Sequence, residues 1–422
     1  MWLRMRFDIE WFDVAYGLCR AGTRRDRAEL ERSIRERWPS PEQMFPCLSV
    51  RTAFDLLWKA LDFPPGSEVV MSALTIPDMV RIVEHHRLVP VPADLNVADM
   101  APDLDSIRRA ITPATRAIVV AHLFGSRIPI EPILEIARQH GLLVIEDCAQ
   151  AFAGCHFDGH AGADVSMFSF GPIKTATAFG GGVFRVGDPR ILSRMESLHA
   201  EYPVQSRGSY LKRFAKYSVL KGMSCRPLRD AILAVYRAAG FDYDRWISGV
   251  VRAFPGPKWL DRLRHQPSAP LLSLLERRLS TFDETWLAAR TARGNRMARL
   301  MPDGAMRPAM NASEHSYWVF PILADEPDRV VAALAQAGFD ATRRSSLRAV
   351  EPPADRPELD PHHARDILSR MIFLPLCPEM PRREMERMGK ILESQADCLT
   401  KVSAGSETPV LFPRMLGGSR SG

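Results

Sequence analysis

From residue 46 to about 190 the chain alternates between two hydrophobic rhythms. Short apolar, often β-branched runs recur at "SEVVMSA" (67–73), "LVPVPADL" (88–95), "TRAIVVAHLFG" (115–125), "LLVIEDCAQA" (142–151), "DVSMFSF" (164–170) and "GGGVFRV" (180–186). Such runs read as buried strands. Between them, "DMVRIVEHHR" (78–87), "DLDSIRRAI" (103–111) and "IEPILEIARQHG" (130–141) place apolar residues at helical spacing, the last ending in a glycine stop. Strands alternating with helices over this length predict an α/β fold: a mostly parallel sheet with helices on both faces. Ligands of such sheets sit beyond the carboxyl ends of the strands, where His122, Asp147 and Ser169 fall.

The flanks have other patterns. Residues 1–45 read as an N-terminal helical segment with a Pro-rich exit, and 46–190 as the large domain. Residues 191–265 are basic and helical with interleaved aromatics. Residues 266–300 form one long connecting helix, spanning 269–300. A small C-terminal α+β domain fills 301–395, with strands in "SYWVFPILAD" and "MIFLPLCPEM". Residues 396–422 form a Ser/Gly/Pro-rich tail expected to be flexible. Composition narrows the class. The 422 residues are 46% hydrophobic and 25% charged, as in globular proteins, with a net charge of +6. Acidic residues nearly match basic ones, so nucleic acid is not the expected partner; an anionic small molecule is. Seven scattered cysteines form no CxxC pair, which predicts neither a zinc site nor a disulfide framework and suits a reducing cytoplasm. No run reaches transmembrane length.

Three pieces carry chemistry. "LSVRTAFDLL" (48–57) sets Arg51 and Thr52 at a helix start, where free N–H groups suit a phosphate, although a helix-capping Thr is the plainer reading. "VIEDCAQAF" (144–152) ends a buried strand in Asp147, with Gln150 one turn on; a carboxylate there needs a cation, or caps a helix. "FSFGPIKTATAFGGG" (168–182) carries Ser169 and Lys174. A desolvated lysine has a lowered pKa and can form an imine with an aldehyde; alone, it could be a solvated loop residue. Together the pieces suit pyridoxal 5′-phosphate (PLP).

These segments, with "MSALTIPDMVRIVEHHRLVPVPADLN", "VVAHLFGSRIPIEPILEIARQHGLLVIEDCAQAFAG", "YWVFPILAD" and "IFLPLCPEMPRREMERM", resemble the DegT/DnrJ/EryC1/StrS sugar aminotransferases over 46–190 and 268–393. The resemblance implies a fold-type I PLP enzyme, working as a homodimer, that moves an amino group from an amino acid, usually glutamate, to a nucleotide-linked keto-sugar. Lys174 would hold the cofactor and shuttle the proton. Asp147 would pair with the ring nitrogen, Gln150 would lie near the ring, and Thr52, Ser169 and the backbone at Arg51 would hold the phosphate. Ile76 stands where the family often stacks an aromatic on the ring, and His122 is a candidate cofactor contact or, equally, a satisfied structural histidine. The family's "GxNxR" stretch is not recognisable; the basic segment occupies its interval. Two alternatives therefore stay open: another PLP reaction on the same fold, or a non-catalytic member at a membrane. The basic aromatic stretch 205–229 could lie on an anionic membrane, bind a phosphorylated substrate or cover the partner subunit, though a solvated basic face over a packing surface is favoured. His85, His86, His362 and His363 read as solvated, and Arg343 with Arg344 as a surface pair.

Overall fold

The computed structural model describes residues 2, 7–223 and 259–402. Its strands are β1 (Met44–Cys47), β2 (Glu68–Ser72), β3 (Leu74–Thr75), β4 (Val89–Ala93), β5 (Thr115–Ala121), β6 (Ser126–Arg127), β7 (Leu143–Asp147), β8 (Val165–Ser169), β9 (Gly182–Val186), β10 (Glu314–His315), β11 (Phe320–Leu323), β12 (Arg348–Ala349) and β13 (Met371–Leu374). A seven-stranded sheet runs β1-β9-β8-β7-β5-β2-β4. Its pairs are parallel from β8 to β4, whereas β9 is antiparallel to both β8 and β1. The fold is α/β and mostly parallel, as the strand–helix alternation predicts.

The first eight helices are α1 (Trp11–Ala21), α2 (Arg27–Arg35), α3 (Val50–Leu61), α4 (Pro77–His85), α5 (Leu104–Ala110), α6 (Glu131–His140), α7 (Pro189–Ala200) and α8 (Arg207–Met223). Strand residues alternate between two cores. Val69, Met71, Ala117, Val119 and Ile145 face Phe54 and Trp58 of α3, Ile82 of α4 and Met195 of α7. Val70, Ile118, Val120 and Val144 face Ile107 of α5 and Ile133, Leu134 and Ala137 of α6. Because both faces are covered, the strands read as continuous apolar runs. Helix α6 stops at Gly141, whose φ of 64° is the left-handed conformation that glycine adopts without strain. β11 and β13 form an antiparallel pair in the C-terminal core, packed with the helices Pro327–Gln336 and Arg382–Ser394.

Three expectations need correction or refinement. The expected single helix over 269–300 is two, Ala269–Ser280 and Glu284–Arg299. Phe282 turns toward Phe152, with ring centroids 5.1 Å apart, and Asp283 caps the second helix by accepting from the Thr285 N–H at 2.8 Å. The exit of the N-terminal segment contains β1, an edge strand paired with β9. The apolar side of α8 is spent on the core: Tyr210, Phe214 and Tyr217 are buried against Phe7, Phe179 and Leu271–Leu272. That leaves a largely polar outer side and removes the basis for a membrane-lying face; Arg226 and Arg229 lie outside the described residues. No helix among the described residues is long and apolar enough to cross a membrane. The tail beyond residue 402 also lies outside them.

Candidate active site

Asp147 ends β7, with Ala121 of β5 and Met167 of β8 as its neighbours across the sheet. Its side chain accepts from the Ala149 N–H at 2.9 Å. Burial pushes the Asp147 carboxyl above its ordinary value, against the opposing pull of that hydrogen bond and of the Lys174 and Arg51 charges. Lys174 follows β8 in a loop held at both ends. Its own N–H bonds to the Gly171 carbonyl, and those of Ala178 and Gly180 bond to that of Phe170. Thr177 donates its hydroxyl to the Gly171 carbonyl at 2.6 Å, and the Asp8 carboxylate accepts from the Ala176 N–H at 2.7 Å.

The Lys174 ammonium lies 4.3 Å from the Trp318 ring centroid, and the Trp318 indole N–H donates to the Ile173 carbonyl at 2.9 Å. Burial lowers the Lys174 pKa to about 8; the Asp147 charge resists that fall and the Arg51 charge adds to it. The lysine and the strand-end acid are therefore electrostatic partners, as their sequence pattern requires. Arg290, behind the loop, donates Nη1–H to the Thr175 hydroxyl at 3.1 Å and Nε–H to the Ser316 carbonyl at 2.7 Å. Burial without a bonded carboxylate pushes it down to about 10.

The other expected residues divide. Arg51 joins the site electrostatically, its Nε 2.7 Å from Asp78. Gln150 accepts from the Phe124 N–H through Oε1 at 2.9 Å, which leaves its amide N–H₂ as the donating end. Ser169 ends β8 beside the loop, its Oγ 3.7 Å from where a Cβ on Gly171 would stand. Ile76 precedes α4, half-buried between two core clusters.

Thr52 is redirected: its hydroxyl donates to the Leu263 carbonyl at 2.8 Å. Ser49 caps α3 instead, accepting from the Thr52 N–H. His122 is also redirected. The Ile128 N–H donates to its Nδ1 at 3.0 Å, so the ring proton sits on Nε2 and is given to Glu146 at 2.8 Å. Both nitrogens are spent within the protein, which makes His122 structural rather than a cofactor ligand. Glu146 also accepts from the His160 N–H and the Ser166 hydroxyl. Cys148 lies close by, but burial and the neighbouring acids raise its pKa far enough to keep the thiol protonated. This buried trio is thus a closed hydrogen-bonded group. Away from the site, His86 is paired with buried Asp55 rather than solvated, and Arg343 pairs with Asp328 at the surface.

Residues 43–223 match the DegT/DnrJ/EryC1/StrS aminotransferase family. Among curated relatives, L-glutamine:2-deoxy-scyllo-inosose aminotransferase of Streptomyces kanamyceticus is 34% identical over 188 residues, 43% of this chain and 44% of that one. The match thus spans less than half of that relative's length. The aminotransferase TlmJ of Streptoalloteichus hindustanus superposes at a TM-score of 0.64, with 19% identity over 94% of this chain and 99% of that chain. The PLP form of Spr1654 from Streptococcus pneumoniae gives 0.65, with 16% identity over 93% and 98%. These structural likenesses establish the fold, that of the fold-type I aminotransferases.

The residues present fit PLP. There is a half-buried amine of lowered pKa for the aldehyde, an acid whose charge acts on it for the ring nitrogen, and an amide donor at Gln150. Sequence reasoning missed Trp318, Arg290, Ser49 and Asp8. Of these, only Ser49 left a local signal, a Ser three residues before Thr52 at a helix start.

Proposed function

We propose that this chain is a PLP-dependent aminotransferase that moves an amino group from an amino acid of the glutamate or glutamine type to a nucleotide-linked keto-sugar. The reading includes a cytoplasmic homodimer. The observation that carries it is the half-buried Lys174 amine of lowered pKa in the field of Asp147, at the carboxyl ends of β7 and β8. When bound, PLP supplies an aldehyde for the lysine and a ring that takes up the electron pair released at a substrate carbon.

The chain's own residues do the rest. Lys174, with a pKa of about 8, keeps an appreciable share of free base at neutral pH to take up and return a proton. Burial pushes the Asp147 carboxyl up, and Lys174 and Arg51 limit that rise; with PLP bound, Asp147 would pair with the protonated ring nitrogen. Gln150 offers its amide donor to the ring hydroxyl. The Trp318 ring covers one side of the lysine ammonium. Arg51 and the amino end of α3 attract the phosphate.

The test is the visible absorption of the purified protein with PLP, before and after glutamate or glutamine. The expected result is a band from lysine-bound cofactor that fades on adding a donor and is absent in Lys174→Ala. A Lys174→Ala protein with full turnover refutes the mechanism. A band indifferent to every amino donor refutes the aminotransferase reading.

A further inference from the structure

Helix α8 occupies the interval after the large domain and carries Arg213 inward from a face otherwise spent on aromatic packing. The Arg213 Cζ lies 3.9 Å from where a Cβ on Gly180 would stand. Two residues on, a Cβ on Gly182 would meet the Val50 nitrogen at 2.7 Å and the Ser49 carbonyl carbon at 2.9 Å. The glycine run after Lys174 is therefore a thin floor that touches the guanidinium at one end and the start of α3 at the other. Side chains at 180 and 182 would crowd it. Arg213 is half-buried and its side chain bonds Tyr217, but its Nε is buried without a hydrogen-bond partner, and no carboxylate among the described residues pairs with it. Its neighbours are the Tyr217 and Tyr210 side chains and the like charge of Arg51. Arg51 in turn acts on Lys174 and Asp147. Two guanidinium groups, a lysine and a helix amino end converge here, and an orphaned buried donor calls for an acceptor.

We infer that Arg213 completes, from within the same chain, the subsite for the cofactor's phosphate beside Lys174, together with Arg51 and the amino end of α3. This rests on the function proposed above. Arg213 binds the phosphate and positions the cofactor; it takes no part in proton transfer.

The experiment titrates cofactor-free protein with PLP and with pyridoxal, which lacks the phosphate, and follows the band of the lysine-bound ligand. It compares the unaltered chain with Arg213→Met and Arg213→Lys. In Arg213→Met the PLP affinity falls about 10- to 100-fold, as expected for loss of a hydrogen bond to a charged group. Pyridoxal binding stays within about twofold, and Arg213→Lys, which keeps the charge, recovers part of the loss. In the unaltered chain inorganic phosphate competes with PLP and not with pyridoxal, a readout independent of whether Arg213→Met folds. A PLP-to-pyridoxal ratio unchanged in Arg213→Lys and Arg213→Met overturns the assignment and leaves the proposed function standing. So does a ratio unchanged while a nucleoside diphosphate loses affinity, which would give Arg213 to the substrate. No band with either aldehyde refutes the proposed function itself.

Discussion

Lys174 should titrate as the structure sets it. Burial brings its pKa from 10.5 to about 8. At pH 7 about one amine in ten is then free base, against about one in 3,000 for an ordinary lysine, so roughly 300-fold more is ready to attack an aldehyde. Folding bears a cost for this. Below pH 8 both folded and unfolded chains carry the charge, and burying it costs roughly 3 kcal/mol. Between pH 8 and 10.5 the unfolded chain binds more protons, so stability rises with pH through that window. The neighbours give the sharper test because they act with opposite signs. Asp147→Asn removes the anion that favours the charged amine, so the inflection moves down; Arg51→Met removes a cation, so it moves up. A brief pulse of acetic anhydride over a pH series, with peptide mass spectrometry, reads the Lys174 inflection against exposed Lys390. An inflection above pH 10, or a shift of the same sign in both variants, refutes the argument.

Two further outcomes follow from packing away from the chemistry. Burial pushes the Asp55 carboxyl up, but the hydrogen bonds from His86 and Arg264 outweigh it and hold it at about 2. Stability worth roughly 2 kcal/mol is then present above the unfolded value of 3.8 and is lost as the pH falls toward 2. Asp55→Ala should cost about 3 kcal/mol in urea unfolding at pH 7; a loss under about 0.5 kcal/mol would deny the network its role. Gly294→Ala would drive a methyl into the Tyr317 ring. It should cost about 1–3 kcal/mol by overpacking and disturb the neighbouring Trp318, seen as altered tryptophan fluorescence; an unchanged melt and spectrum would contradict it.

What the sequence could reveal divides along physical lines. Apolar runs and helical spacing exposed the large domain because both faces of its sheet are buried, so each strand had to be apolar throughout. Asp147, Gln150, Ser169 and Lys174 were legible because each lies at or just beyond a strand end, where chain order and spatial order coincide. Signals that depend on side-chain direction were not. Thr52 and His122 sit where site residues could sit, yet one hydroxyl turns to Leu263 and both imidazole nitrogens turn to Ile128 and Glu146. These partners lie 211, 6 and 24 residues away, so no helix or strand spacing rule contains them. Trp318 and Arg290 come from distant segments and meet the lysine loop only because "EHSYW" lies against Gly125, where the Ser316 N–H bonds to the Gly125 carbonyl at 2.7 Å. Arg213 shows the same limit from the other side. A basic, aromatic helix looks like a surface device until its aromatics are seen in the core. With Tyr210, Phe214 and Tyr217 facing inward, the intervening Arg213 is drawn under the glycine run rather than out into water. A cation so placed needs an anion that the described residues do not supply.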